Sequence, residues 1–354
     1  MNKRITFLMP RPGNIPAGGY KVVFEYANRL VADGCTVNII YPCGINNKIL
    51  AWVKFLNFLI RKNYTAKPWF KLNVKVNEIL SPTLAEKYIP KSDIIFATGW
   101  KTAENLTKYK KVKNNCKFYF IQGYENWNNP KDEPRLLKTW QSNLRKIVIS
   151  PWLQKIAIDM KEKTVLIENG LDFKYFTLTK PCDKRNPYCI TMMYHPNKLK
   201  GFNMAWRSIQ IVQKKYPKLQ VNIFGAQKLP QKFPKWVTYY QRPSRTQHNI
   251  LYNQAAIFIA TSRMEGFGLT PAEAMQCGCA VACTDIGGYR MFCQSEKTAL
   301  VSPVDDPEAL AKNIIRLIED KKLRVALAKN GNACVQWFTW ERAYSKLKKL
   351  ITSC

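Results

Sequence analysis

Apolar residues in this chain come in short runs, separated by polar breaks that carry glycine or proline. RITFLMP (4–10) reads as a strand that ends at a proline, and the loop after it holds Gly13, Gly18 and Gly19. In YKVVFEYANRLVADG, residues Val22, Val23, Tyr26, Ala27, Leu30 and Val31 recur at helical spacing, and Gly34 stops the pattern. TVNIIYP (36–42) reads as a second strand. SDIIFATG, KFYFIQG, KIVIS and TVLIEN read as later ones. The order strand, glycine-rich loop, helix, strand opens a doubly wound α/β domain.

The chain then turns polar at TLTKPCDKRNPY (177–188), and the pattern restarts: strand YCITMMYH, helix GFNMAWRSIQIVQKKYP, strand LQVNIFG, helix around QHNILYNQA, strand AIFIATS, short strand AVACTD, helix PEALAKNIIRLIED. The expected fold class is α/β, with two Rossmann-like domains facing across a cleft that is the natural ligand site. They are placed at 1–176 and 177–338, and a C-terminal helix at 339–354 is expected to pack back on the first.

Composition narrows the class. Hydrophobic residues make up 46% and aromatics 12% of 354 residues, enough for two cores. No run approaches the length of a transmembrane helix, and prolines 10 and 12 interrupt the apolar start, so neither a span nor a signal peptide is expected. Eleven scattered cysteines without paired CxxC sets suit a reduced cytosol better than a disulfide framework or a zinc site. Lys and Arg number 56 against 24 Asp and Glu, a formal charge of +32. Such a balance points to an anionic partner: nucleic acid, an anionic membrane or a phosphorylated ligand. A lysine-rich background composition would give the same total.

The chemistry concentrates in SRMEGFGLTPAEAMQCG (262–278), where Glu265 and Glu273 flank a glycine turn and a helix start. The stretch follows the strand AIFIATS, and ligands bind past the carboxyl ends of strands in open α/β sheets. The glycines allow close backbone approach, and free amides at a helix start suit a phosphate. Thr270 as N-cap, Pro271 in the first turn and Glu273 as capping-box partner form a purely structural alternative. Glu265 alone is equally a solvated loop acid.

EGFGLTPAE resembles the Glu-x7-Glu motif of the retaining glycosyltransferases of family 4, which have the GT-B fold. NIPAGGYKVVFEYANRLVADGCTVNIIYP, IENGLDFKYF, LKGFNMAWRSIQIV, ALVSPVDDPEALAKNIIRLIED and WFTWERAYSKL resemble the other pieces of that pattern, in order, over nearly the whole chain. The glycine loop and YFIQGYENW look most similar to bacterial rhamnosyltransferases of surface polysaccharides. The resemblance implies that Glu273 holds the ribose hydroxyls of a nucleotide-sugar donor and that Glu265 bonds hydroxyls of the transferred sugar. It further implies that the backbone at Gly266, Phe267, Gly268, Leu269 and Thr270 faces sugar and diphosphate. Lys200 would neutralise the diphosphate, and Gly18 and Gly19 would present amides to it from the first domain. Fixed cations and oriented N–H groups stabilise a departing nucleoside diphosphate.

Two departures stand out. Relatives often carry an arginine shortly before the lysine; here YHPNKLKG places His195 or Tyr194 there, with Lys198 as a substitute charge. Relatives also often place a histidine after the strand matching FYFIQG, whereas this chain has Gln122, Tyr124 and Glu125 as candidate sugar or acceptor contacts. No base–nucleophile pair is visible, and the front-side displacement implied by the family needs none. No carboxylate cluster suggests a metal, so neither metal nor cofactor is expected. The implied partners are a nucleotide sugar and a glycan or lipid-linked acceptor. A nucleotide-sugar epimerase is the competing enzyme. A nucleic-acid partner is not expected, since no recognised motif accompanies the charge.

Residues 47–71 combine Trp52, Phe55, Leu56, Leu59 and Ile60 on one helical face with Lys48, Lys54, Arg61, Lys62, Lys67 and Lys71. Such a helix suits an anionic bilayer surface, with the protein peripheral at the cytoplasmic face of the membrane. Packing of the same face on the domain's own sheet is the alternative.

Overall fold

The computed structural model describes residues 2–14, 16–44, 48–61, 64–65, 69–126, 130–229 and 232–354. Backbone contacts divide the chain into two compact units, Met1–Asn169 with Glu341–Cys354, and Gly170–Trp340.

The first unit runs β1 (Arg4–Leu8), α1 (Gly18–Ala32), β2 (Thr36–Pro42), α2 (Lys48–Arg61), β3 (Asn77–Ser81), β4 (Ile94–Ala97), α3 (Trp100–Leu106), β5 (Lys117–Ile121), α4 (Glu133–Trp140), β6 (Arg145–Val148), α5 (Pro151–Asp159) and β7 (Thr164–Leu166). Its parallel sheet has the order β3-β2-β1-β4-β5-β6-β7. Central strands of such a sheet are covered on both faces and read as unbroken apolar runs. The rings of Phe7, Phe96 and Phe118 stack across β1, β4 and β5 at 4.9 Å each.

The second unit runs β8 (Cys189–Met193), α6 (Phe202–Lys215), β9 (Gln220–Gly225), β10 (Val237–Gln241), α7 (Arg245–Gln254), β11 (Ile257–Ala260), α8 (Leu269–Gln276), β12 (Ala280–Thr284), β13 (Ala299–Ser302), α9 (Pro307–Glu319) and α10 (Lys321–Val335). Its sheet is also parallel, in the order β10-β9-β8-β11-β12-β13. The core sets Ile190, Val221, Ile223, Ile257 and Ile259 against Ile209, Val212, Leu310, Ile314 and Leu317 of α6 and α9. Both units are thus doubly wound Rossmann-like domains.

The divide falls at Asn169/Gly170, not at the expected 176/177. Phe176 packs on Tyr252 of α7, and the Thr177 amide donates to Asn249 Oδ1 at 3.1 Å, so this segment belongs with the second unit. The last helix, α11 (Trp340–Thr352), sits on the first unit. Lys348 pairs with Asp33 and Lys346 with Glu168, each at 2.6 Å, and Lys3 donates to Ile351 O at 3.0 Å.

Three strands lack a clear sequence signal: β3 (NEILS), β10 (VTYYQ) and β13 (ALVS). All three lie at sheet edges, and β3 and β10 are only partly buried. An edge strand needs no continuous apolar run. Helix α1 starts at Gly18, inside the stretch expected to be loop.

Candidate functional site

In the second unit β8 leads outward to β9 and β10, while β11 leads the other way to β12 and β13. The loops after β8 and β11 therefore diverge at the topological switch point, where open α/β sheets hold ligands. Lys200 comes from the first loop and Glu265 from the second. Lys200 Nζ and Glu265 Oε1 stand 2.6 Å apart, with side chains 27% and 17% exposed. Ser262 Oγ donates to the same carboxylate oxygen at 2.8 Å. Two residues 65 positions apart are thus joined at one point.

The loops are locked to each other beneath this pair. The Arg263 amide donates to Leu199 O at 2.7 Å, and Thr261 Oγ1 donates to Gly201 O at 3.0 Å. Thr284 Oγ1, at the end of β12, donates to Ser262 O at 2.6 Å. Gly201 takes φ +66° and caps α6, and Gly288 passes close over the Glu265 backbone. Arg263 pairs with Asp305 and Arg290 with Asp285, each at 2.8 Å. Among these cations Lys200 is the one directed at Glu265.

Thr270 is not the N-cap that the structural alternative requires. Helix α8 begins at Leu269, with Gly268 at φ +94° as N-cap and no side-chain cap. Thr270 and Pro271 lie inside the first turn, and Glu273 lies a full turn from the helix start. The left-handed glycine lets the chain enter the helix earlier than Thr270 would allow. Glu273 is 4% exposed and has Tyr252 beside it, whose phenol is raised well above its ordinary range chiefly by burial. Glu273 thus sits in the interior of α8, past the N3 position that a capping box needs. Gly266, Phe267 and Gly268 are buried, and the Phe267 ring packs on Phe292 and Phe338, leaving the backbone as its contribution. Tyr289, in the loop after β12, lies beside Glu265 and closes on Gly268; sequence reasoning passed over it and over Ser262. Ser262 had a readable signal, a hydroxyl at the strand end three residues before the acid.

His195 Nδ1 accepts from the Asn197 amide at 3.0 Å, and Asn197 Oδ1 accepts from the Leu199 amide at 2.9 Å. The imidazole thus organises the Lys198–Lys200 turn, and a neutral ring carries its proton on Nε2. Lys198 is exposed.

In the first unit Gly18 and Gly19 form the first turn of α1, where backbone amides lack helical partners. Gln122 Nε2 donates to Gly19 O at 3.1 Å, while Gln122 Oε1 is buried with no partner among the described residues. Tyr124 donates to Glu133 at 2.7 Å. Glu125 accepts from the Trp100 amide at the start of α3 at 2.9 Å, and a Cβ at Gly99 would stand 3.3 Å from its Oε2, a tight contact.

Burial pushes Glu125 from 4.5 up to about 7, against the lowering effects of the Trp100 amide and Lys101. Between those values the folded chain keeps a proton that the unfolded chain releases. Stability therefore falls as pH rises through that window, by at most about 1.4 kcal/mol per pH unit. Glu125→Gln keeps the acceptor and removes the charge. Its melting temperature is expected to match wild type near pH 5 and to exceed it near pH 8. Superimposable pH profiles would refute the assignment.

Among the described residues no group of three His, Cys, Asp or Glu is placed to hold a metal ion. Residues 183–333 match the family model described as Glycosyl transferases group 1. A lipopolysaccharide core biosynthesis mannosyltransferase, LpcC of Rhizobium leguminosarum bv. viciae, is 41% identical over 105 residues, 29% of this chain and 30% of that one. LpsB of Rhizobium meliloti, of the same description, is 37% identical over 84 residues, 23% and 24% of the two chains. The match thus spans less than a third of each curated relative. Among solved structures, sucrose-phosphate synthase from Thermosynechococcus elongatus aligns with a TM-score of 0.73 at 19% identity, over 99% of both chains. Anabaena Alr3699/HepE in complex with UDP and glucose aligns at 0.72 and 16%, over all of both. The fold is therefore that of the GT-B glycosyltransferases.

Proposed function

We propose that this chain is a retaining glycosyltransferase that moves a hexosyl or deoxyhexosyl residue, with rhamnose among the candidates, from a nucleotide-diphosphate donor to a glycan or lipid-linked acceptor. The observation that carries the reading is the Lys200–Glu265 pair at the β8/β11 switch point, beside the start of α8 and inside the stretch matching the glycosyl transferases group 1 model. The lipopolysaccharide core relatives support surface polysaccharide synthesis as the setting.

In this reading Lys200 meets the donor diphosphate and the α8 start offers amides to it. Glu265 accepts from hydroxyls of the sugar, and Glu273 accepts from the ribose. As the sugar–phosphate bond breaks, negative charge grows on the diphosphate, where Lys200 and the amides stabilise it most. The acceptor oxygen attacks from the same face, and its proton passes to the departing diphosphate. Neither metal nor cofactor has a part. An anionic membrane surface is the further partner, with the protein peripheral at its cytoplasmic face.

The test is a panel of nucleotide sugars offered first alone and then with acceptor saccharides. One donor is expected to raise the melting temperature and to give glycosyl product only when acceptor is present. Glu273→Gln is expected to keep its stability and to lose most of that nucleotide-induced shift. Conversion of the donor sugar without acceptor would make the enzyme an epimerase. Binding of no nucleotide sugar would end the proposal.

A further inference from the structure

Helix α2 is the crossover between β2 and the edge strand β3. Its inward side is short: Ala51 is buried, and Trp52 packs edge-on against Phe55 at 5.5 Å and Tyr88 at 6.2 Å. The outward side is apolar. Val53, Leu56 and Ile60, spaced to form one helical stripe, are 61%, 56% and 82% exposed, and Trp52 and Leu59 are more than 40% exposed beside them. The face expected from the sequence is therefore rotated, since Phe55 turns partly inward and Val53 outward.

Cations lie on the same helix and on the turn that packs against it. Lys54 and Arg61 are exposed on α2 itself. Lys87 Nζ lies 5.0 Å over the ring of Tyr88, the residue that meets Trp52. Beside it, Glu86 accepts from the backbone amides of Lys110 and Lys111 at 2.9 and 2.7 Å. Those bonds tie to the Glu86–Tyr88 turn a segment whose Lys108, Lys110, Lys111 and Lys113 are all exposed.

We propose that the outward stripe of α2 and this lysine segment together form a docking surface for an anionic lipid bilayer. Exposed aliphatic side chains with cations on the same helix and on the neighbouring turn match the boundary between acyl chains and acidic headgroups. The stripe is aliphatic apart from Trp52 at its side, far from the succession of rings on which nucleobases stack, which disfavours nucleic acid. A second copy would bring a like-charged lysine segment against the first. No helix among the described residues is long and apolar enough to cross a membrane, so α2 lies in the interface. The inference deepens the membrane partner named above and does not depend on the transfer chemistry.

The test is co-sedimentation of the full chain with phosphatidylglycerol-containing or pure phosphatidylcholine vesicles, at low and high salt, with sedimentation equilibrium in parallel. Binding is expected to anionic vesicles only, with release at high salt. Val53→Ser/Leu56→Ser/Ile60→Ser and Lys110→Glu/Lys111→Glu are each expected to weaken it about ten-fold or more with melting temperature and nucleotide affinity unchanged. Equal pelleting with both lipids, or none with either, overturns the proposal. A dimer that the triple variant abolishes would assign the surface to a second copy instead. Anionic-vesicle binding by a chain that takes no nucleotide sugar would sink the transferase reading and leave this one standing.

Discussion

Glu265→Ala is expected to lower turnover by about 10- to 150-fold, the loss of about 1.5–3 kcal/mol that follows removal of a charge-assisted hydrogen bond. The carboxylate accepts from Ser262 and pairs with Lys200 at 2.6 Å, so its position is set before any ligand arrives. Donor hydroxyls would then meet a fixed acceptor, and little reorganisation is left for the reacting state. The side chain is partly solvated, so Lys200 can hydrate when its partner is removed, and stability should change by no more than about 1 kcal/mol. Glu265→Gln keeps an acceptor oxygen without the charge and should fall between wild type and alanine. The check is turnover per folded molecule, with the melting curve recorded in parallel. A stable alanine variant with wild-type turnover would show that Glu265 is only an ion-pair partner.

Gly201→Ala is expected to damage the fold of the second unit. A methyl group there would lie 1.8 Å from Thr261 O, and the residue sits at φ +66°. The left-handed backbone alone costs an alanine about 1–2 kcal/mol. Relief of the backbone clash requires the β8 and β11 loops to part, for a total of about 3 kcal/mol or more. For a unit of this size that corresponds to a drop of about 6–12 °C in its melting transition. Because the same shift carries Lys200 away from Glu265, nucleotide affinity should fall even well below the melting temperature. An alanine variant with native melting and native affinity would mean that the loops are not packed as described.

Glu265 and Lys200 are legible as candidates in the sequence, whereas the left-handed turn at Gly201 is not. Gly201 and Lys200 stand in the short run LKG ahead of a helix, and Glu265 precedes a glycine turn at the end of an apolar strand. Local pattern locates such residues because strand ends and helix starts are written in adjacent positions. It does not say which strand end lies beside which. The edge strands β3 and β10 escaped because partial burial leaves no apolar run to read. Helix α8 was misread at its start because a glycine N-cap has no side-chain signature, whereas Thr270 and Glu273 offered a false one.

By itself the sequence determined the α/β class, the division into two Rossmann-like halves, the central strands and the acids and glycines of residues 262–278. Those features depend on burial periodicity and on residues next to each other in the chain. Only the tertiary structure decided that Lys200 and Glu265 meet, that Glu273 is buried inside α8 and not at its N3 position, and that Val53 and Ile60 of α2 face outward while Phe55 turns partly in. Strand order brings together loops far apart in sequence, and the packing of one helix against its neighbours selects which of its apolar faces is covered. Neither is encoded in the spacing of any single segment.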